Sequence, residues 1–69
     1  MAQYKVADVT DDFVEIGYAN SWVEVVEIAL EHYHSHRTQH DIIAIPYDKH
    51  TKQYNRSRAE LVHVNKYQQ

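Results

Sequence analysis

Ser21-Trp22-Val23-Glu24 fits a capping box, in which a serine hydroxyl and a glutamate carboxylate satisfy the free amides at a helix start. The residues from Trp22 onward carry a helical period. Trp22, Val26, Ala29 and Tyr33 recur at spacings of four, three and four, flanked by Val25 and Leu30, which makes one broad apolar face. Glu24, Glu27 and Glu31 fall on the opposite face. The helix is expected to fray across His34-Ser35-His36, where Arg37 and the histidines suit its negative end. A lone helix with one apolar face has to bury it against a different kind of element, and the rest of the chain offers short β-forming runs.

Gln3 to Val9 mixes β-branched and aromatic residues in rough alternation and reads as a strand. Thr10-Asp11-Asp12 suits a tight turn, because Asp side chains bond their own backbone. Phe13 to Ala19 resumes the alternation, with Val14, Ile16 and Tyr18 expected on one face and Gly17 marking a bulge or a close approach. These two runs form a hairpin. Beyond the helix, Asp41 to Tyr47 holds the apolar run Ile42-Ile43-Ala44-Ile45 ahead of Pro46, which should end the ladder or sit at an edge. Ala59 to Tyr67 carries Leu61, Val62 and Val64 and is read as the last strand, with a short C-terminal helix opened by Ser57-Arg58-Ala59-Glu60 as the competing reading. The expected fold is therefore α+β: one domain over residues 1–69, in the order β-β-α-β-β, with an antiparallel sheet and the helix packed on one face.

A chain of 69 residues buries only roughly 60% of its unfolded surface, so its core supplies about 3–5 kcal/mol net. The chain has no cysteine, which excludes disulfides, thiol catalysis and cysteine-ligated zinc. No secretory signal and no membrane-length apolar run is visible, so a cytoplasmic location in a bacterial host cell is expected. The triplet Asn55-Arg56-Ser57 is then a chance match to a glycosylation site.

Catalysis finds little support. Ser21, Ser35 and Ser57 lack the glycines of a nucleophile elbow, and phosphate-cradling loops need glycines where this chain has one. Asp11 and Asp12 are adjacent in a turn and diverge instead of forming a catalytic pair. The chain is read as a non-enzyme with no cofactor. His32, His34, His36 and His40 fall within nine residues, with His50 and His63 elsewhere. On a helix His32 and His36 would lie one turn apart, and His40 or Asp41 would have to complete a metal site. The expectation is polar residues at a helix end without a physiological metal, and a metal-dependent regulator ranks third among the functional readings.

Charge divides along the chain. Residues 1–31 carry seven acids against Lys5, a net of −6, whereas residues 32–69 carry six cations against three acids, a net of +3. Asp8, Asp11, Asp12, Glu15, Glu24, Glu27 and Glu31 are the candidate partner-binding residues, a carboxylate surface able to occupy the cationic groove of a nucleic-acid-binding protein. In size, acidity and lack of cysteine the chain is similar in type to the small proteins with which phages inhibit host machinery, a likeness that rests on no shared motif. The leading expectation is thus a protein-binding module that blocks a host nucleic-acid-binding or transcription protein by mimicking DNA. The alternative is direct nucleic-acid binding through the basic segment 49–58, with Lys49, Lys52, Tyr54, Arg56 and Arg58 as its residues. Six Tyr, one Trp and one Phe exceed what one helix can cover, so a homodimer is expected.

Overall fold

The computed structural model describes residues 2–35 and 40–67. It shows one helix and five antiparallel strands in a curled sheet: β1 (Tyr4–Asp8), β2 (Val14–Ala19), α1 (Trp22–Ser35), β3 (Ile42–Asp48), β4 (Gln53–Tyr54) and β5 (Glu60–Val62). The expected β-β-α-β-β order holds, with the second pair divided among three strands. β1 lies between β2 and β3. On its far edge β3 pairs with β5 through residues 42–44 and with β4 through Tyr47 and Asp48. Pro46 falls between those two partners, where a missing N–H costs least, and its carbonyl accepts the Asn55 N–H at 2.9 Å.

α1 starts as its sequence dictates. The Glu24 N–H donates to Ser21 Oγ at 3.2 Å and the Val25 N–H to the Ser21 carbonyl at 3.1 Å. Val25 and Ala29 form the fully buried centre of the helical stripe, with Trp22, Ile28, Leu30 and Tyr33 packed beside them; Val26, expected on the stripe with Val25 flanking it, is only half-buried and lies outside the core cluster. Small and aliphatic side chains meet them from the sheet: Val6, Ala19, Ile42, Ala44 and Val62. α1 stays helical through His34 and Ser35, where fraying was expected to begin, and His36 and Arg37 lie outside the described residues.

Two expectations need correction. Val14, Ile16 and Tyr18 do not share a face, because the register shifts between Val6, which pairs with Gly17, and Ala7, which pairs with Glu15. That bulge leaves Ile16 unpaired in the ladder and turns Glu15 and Tyr18 to the side away from α1. Gly17 faces the helix, and a Cβ there would sit 3.1 Å from Ile28 Cδ1 and Cγ2, so the glycine permits a close approach. Ala59–Tyr67 is also not one strand. β5 ends at Val62, and Val64–Tyr67 forms a 3-10 turn whose buried Val64 joins the core. Tyr67 Oη lies 3.3 Å from Trp22 Nε1, which tethers the turn to the first residue of α1.

Candidate functional site

The chemistry of the described residues concentrates where β1 ends beneath the last turns of α1. Tyr4, Val6 and Asp8 alternate toward the helix; Tyr4 meets Trp22 edge-on and Val6 enters the core. Asp8, the third inward position, is a carboxylate with no solvent exposure. Position 32 continues the buried helical series of Val25 and Ala29, so α1 aims the His32 ring at the same point. His32 Nε2 lies 2.7 Å from Asp8 Oδ2. His40, two residues ahead of β3, brings its Nδ1 within 2.6 Å of that same oxygen. The Asp11 N–H donates to Asp8 Oδ1 at 3.2 Å and holds the carboxylate plane from behind.

Burial raises the energy of the Asp8 carboxylate, but hydrogen bonds from His40, His32 and the Asp11 amide, with the attraction of His40, more than offset it. The net effect places its pKa below the usual aspartate value of 3.8. Two further bonds lock the surroundings: the Val9 N–H to the Asp41 carbonyl at 2.8 Å, and the Asp41 N–H to Thr10 Oγ1 at 2.8 Å. Both the turn after β1 and the lead into β3 are therefore fixed around the cluster. A cleft of about 260 Å³ bordered by Ile16, Ile28, Glu31, His32 and Ser35 opens beside the His32 ring.

The expected acidic surface is only partly assembled. Asp8 is buried and drops out of it, because a carboxylate closed off from water cannot meet a partner. Glu15 lies on the other side of the sheet, held by Lys5 Nζ at 3.2 Å and by the Tyr18 hydroxyl at 2.8 Å; the Tyr18 bond, then Lys5, lowers its pKa. Asp11, Asp12, Glu24, Glu27 and Glu31 are exposed and have no ion-pair partner among the described residues.

In the basic segment, Lys49, Lys52, Arg56 and Arg58 are exposed. Tyr54 is half-buried, with its ring against Tyr47 and Tyr18 at 5.2 and 5.8 Å between centroids and its hydroxyl donating to the Ala2 carbonyl. The Arg56 guanidinium stacks on Phe13 at 4.5 Å. Asn55-Arg56-Ser57 has a local role, since Asn55 Oδ1 accepts from Ser57 N and Oγ in a capped 3-10 turn. Of the clustered histidines, only His32 and His40 converge among the described residues; His34 is exposed, and His36 lies outside them. Asp8 was the residue that histidine spacing could not supply. Its signal was an acid in the inward register of an apolar strand, matched by a histidine on the helical stripe.

Comparison with protein-family models, with curated proteins and with solved structures gives no match for this chain.

Proposed function

We propose that this protein is a non-enzymatic protein-binding module that presents carboxylates to a cationic surface on a nucleic-acid-binding or transcription protein. One observation carries the reading. Glu24, Glu27 and Glu31 on the outer side of α1, and Asp11 and Asp12 in the turn after β1, are exposed and lack ion-pair partners among the described residues, whereas the Asp8 and Glu15 carboxylates are engaged by side chains within the fold. Unpaired carboxylates on a capped helix keep a defined spacing, and a groove shaped for phosphates responds to such spacing. The partner would be blocked by competition with its nucleic acid, as an inhibitor of a host protein would act. Pairing of two copies would cover exposed side chains such as Tyr18 or Leu61. Sedimentation equilibrium showing only an 8.2 kDa species at micromolar concentration removes the dimer from the proposal.

The test compares the native chain with Glu27→Lys, Glu31→Lys as bait in a nuclease-treated bacterial lysate. The expected result is a protein held by the native chain, lost with the variant, and displaced by added DNA or RNA. A folded variant that retains the same protein, or a complex that nucleic acid cannot displace, overturns the reading. Direct, salt-sensitive binding of DNA that is lost in Lys52→Ala, Arg58→Ala would instead assign function to the basic segment.

A further inference from the structure

We infer that Asp8, His32 and His40 form a binding site for one divalent transition-metal ion, with zinc best suited to two imidazoles and one carboxylate. The inference stands on the geometry of this cluster and does not require that the acidic surface bind a partner. One donor atom from each residue lies within 4.8 Å of the other two. Around zinc, ligand atoms sit about 2.0–2.2 Å from the metal, which sets tetrahedral ligand–ligand distances at about 3.3 Å. Asp8 Oδ2 is now 2.7 Å from one ring nitrogen and 2.6 Å from the other. Opening the two contacts to that separation, by about 0.6 and 0.7 Å, would admit the ion. Each ring must also present an unprotonated nitrogen to the metal, so the proton shared with Asp8 moves to the other ring nitrogen or leaves to solvent.

Three features favour an ion over a cluster that serves packing alone. The donors come from β1, α1 and the lead into β3, so the fold brings to the two histidines a carboxylate distant from them in sequence. The carboxylate is oriented from behind by the Asp11 amide, the kind of outer contact that holds a metal ligand in place. The field is also suitable: Asp11, Asp12, Glu31 and Asp41, each within four residues of a ligand in sequence, bring negative charge to this end of the molecule. The His32 and His40 side chains keep 15% and 14% exposure, which leaves a way in from solvent while Asp8 stays covered. An ion there would pin the last turns of α1 to β1 and β3, a cross-link well suited to a domain with so small a core.

The test uses untagged, chelator-treated protein. Calorimetric titration with zinc should give one equivalent bound, and cobalt(II) should develop the visible absorption of a four-coordinate site. His32→Gln and His40→Gln should each weaken zinc by at least about 100-fold, the upper end of what outer contacts alone contribute. Both variants are checked for helix content by circular dichroism, and His40, outside the regular elements, is the safer of the two. The triple variant His34→Asn, His50→Asn, His63→Asn should bind zinc as the native chain does. Zinc should raise the melting temperature of the native and triple-variant proteins only. Absence of a saturable equivalent overturns the site. Binding that survives in His32→Gln and His40→Gln, or that disappears with the triple variant, does so equally.

Discussion

Under α1 the sheet presents Val6, Gly17, Ala19, Ile42 and Ala44, aliphatic or small side chains that close against Val25, Ile28 and Ala29. The face turned away from the helix has no second layer of helix among the described residues and is finished instead with rings and charges. There Lys5 reaches Glu15 and the Tyr54 ring, Tyr18 bonds Glu15, Tyr47 and Tyr54 meet edge-on, and Arg56 covers Phe13. Ala7 and Ile45, which the register puts on this side, are nonetheless buried. A single helix can close only one face of a sheet. Long amphipathic side chains can shield the other, because their stems and rings exclude water while their polar ends stay wet.

Truncation at an open position of the wet face therefore costs less than an equal truncation beneath the helix. Ile42→Ala, beneath the helix, is expected to lose about 2–5 kcal/mol and to unfold much of the population, whereas Leu61→Ala, already 46% exposed, loses less than about 1 kcal/mol. Urea denaturation of both variants checks this, and similar losses would break the contrast. Asp8→Asn, in metal-free protein, removes the acceptor shared by two rings on the helix-covered side and is expected to cost about 1–3 kcal/mol. Next in size is Gly17→Ala. The added methyl presses on Ile28, and the expected cost is about 1 kcal/mol, net of the gain from replacing a strand glycine. Ile28→Val in the same chain should recover part of it; a plain additive loss would show that the close approach is not the cause.

The smallest effect belongs to Glu15→Gln on the wet face. Glu15 is stabilised as a carboxylate, so its contribution to stability is present above its ordinary value of 4.5 and is lost as pH falls through the lowered one. Tyr18 carries the opposite sign: Glu15 raises its pKa, so its contribution is present below 10.0 and is lost as pH rises through the raised value. In Glu15→Gln, Tyr18 should therefore ionise at lower pH in an ultraviolet titration. An unchanged tyrosine titration would separate the two groups.

The helix, the hairpin and the α+β class were legible because each rests on local chemistry: Ser21 as cap, a polar turn at residues 10–12, and alternation along residues 3–9, although the side chain that bonds the turn backbone is that of Asp8. What escaped depended on contacts distant in sequence. The bulge opposite Val6 and Ala7 is a register event, and periodicity alone assigns Ile16 to a face it does not share with Tyr18. The split of residues 59–67 goes with a contact between Tyr67 and Trp22 across 45 residues, which no local pattern announces. Histidine spacing identified His32 and His40 as chemically suggestive, but their carboxylate partner lies in the first strand, and the nearby Asp41 points attention elsewhere. Burial likewise removed Asp8 from a surface to which composition alone assigns it.

The contacts of Asp8 with His32 and His40 span 24 and 32 residues. Such contacts close long loops, and that entropy must be spent before they return anything, so they form late, after the hairpin and helix have docked. Late contacts govern how slowly a structure comes apart more than how fast it assembles. The cluster should thus act as a latch on the native state: disrupting it by Asp8→Asn is expected to speed unfolding in stopped-flow denaturant jumps while leaving the refolding rate nearly unchanged. The lifetime of the folded protein, and with it resistance to proteolysis wherever cleavage outpaces reclosing, would then be set at the end of the molecule where helix, hairpin turn and central strand meet.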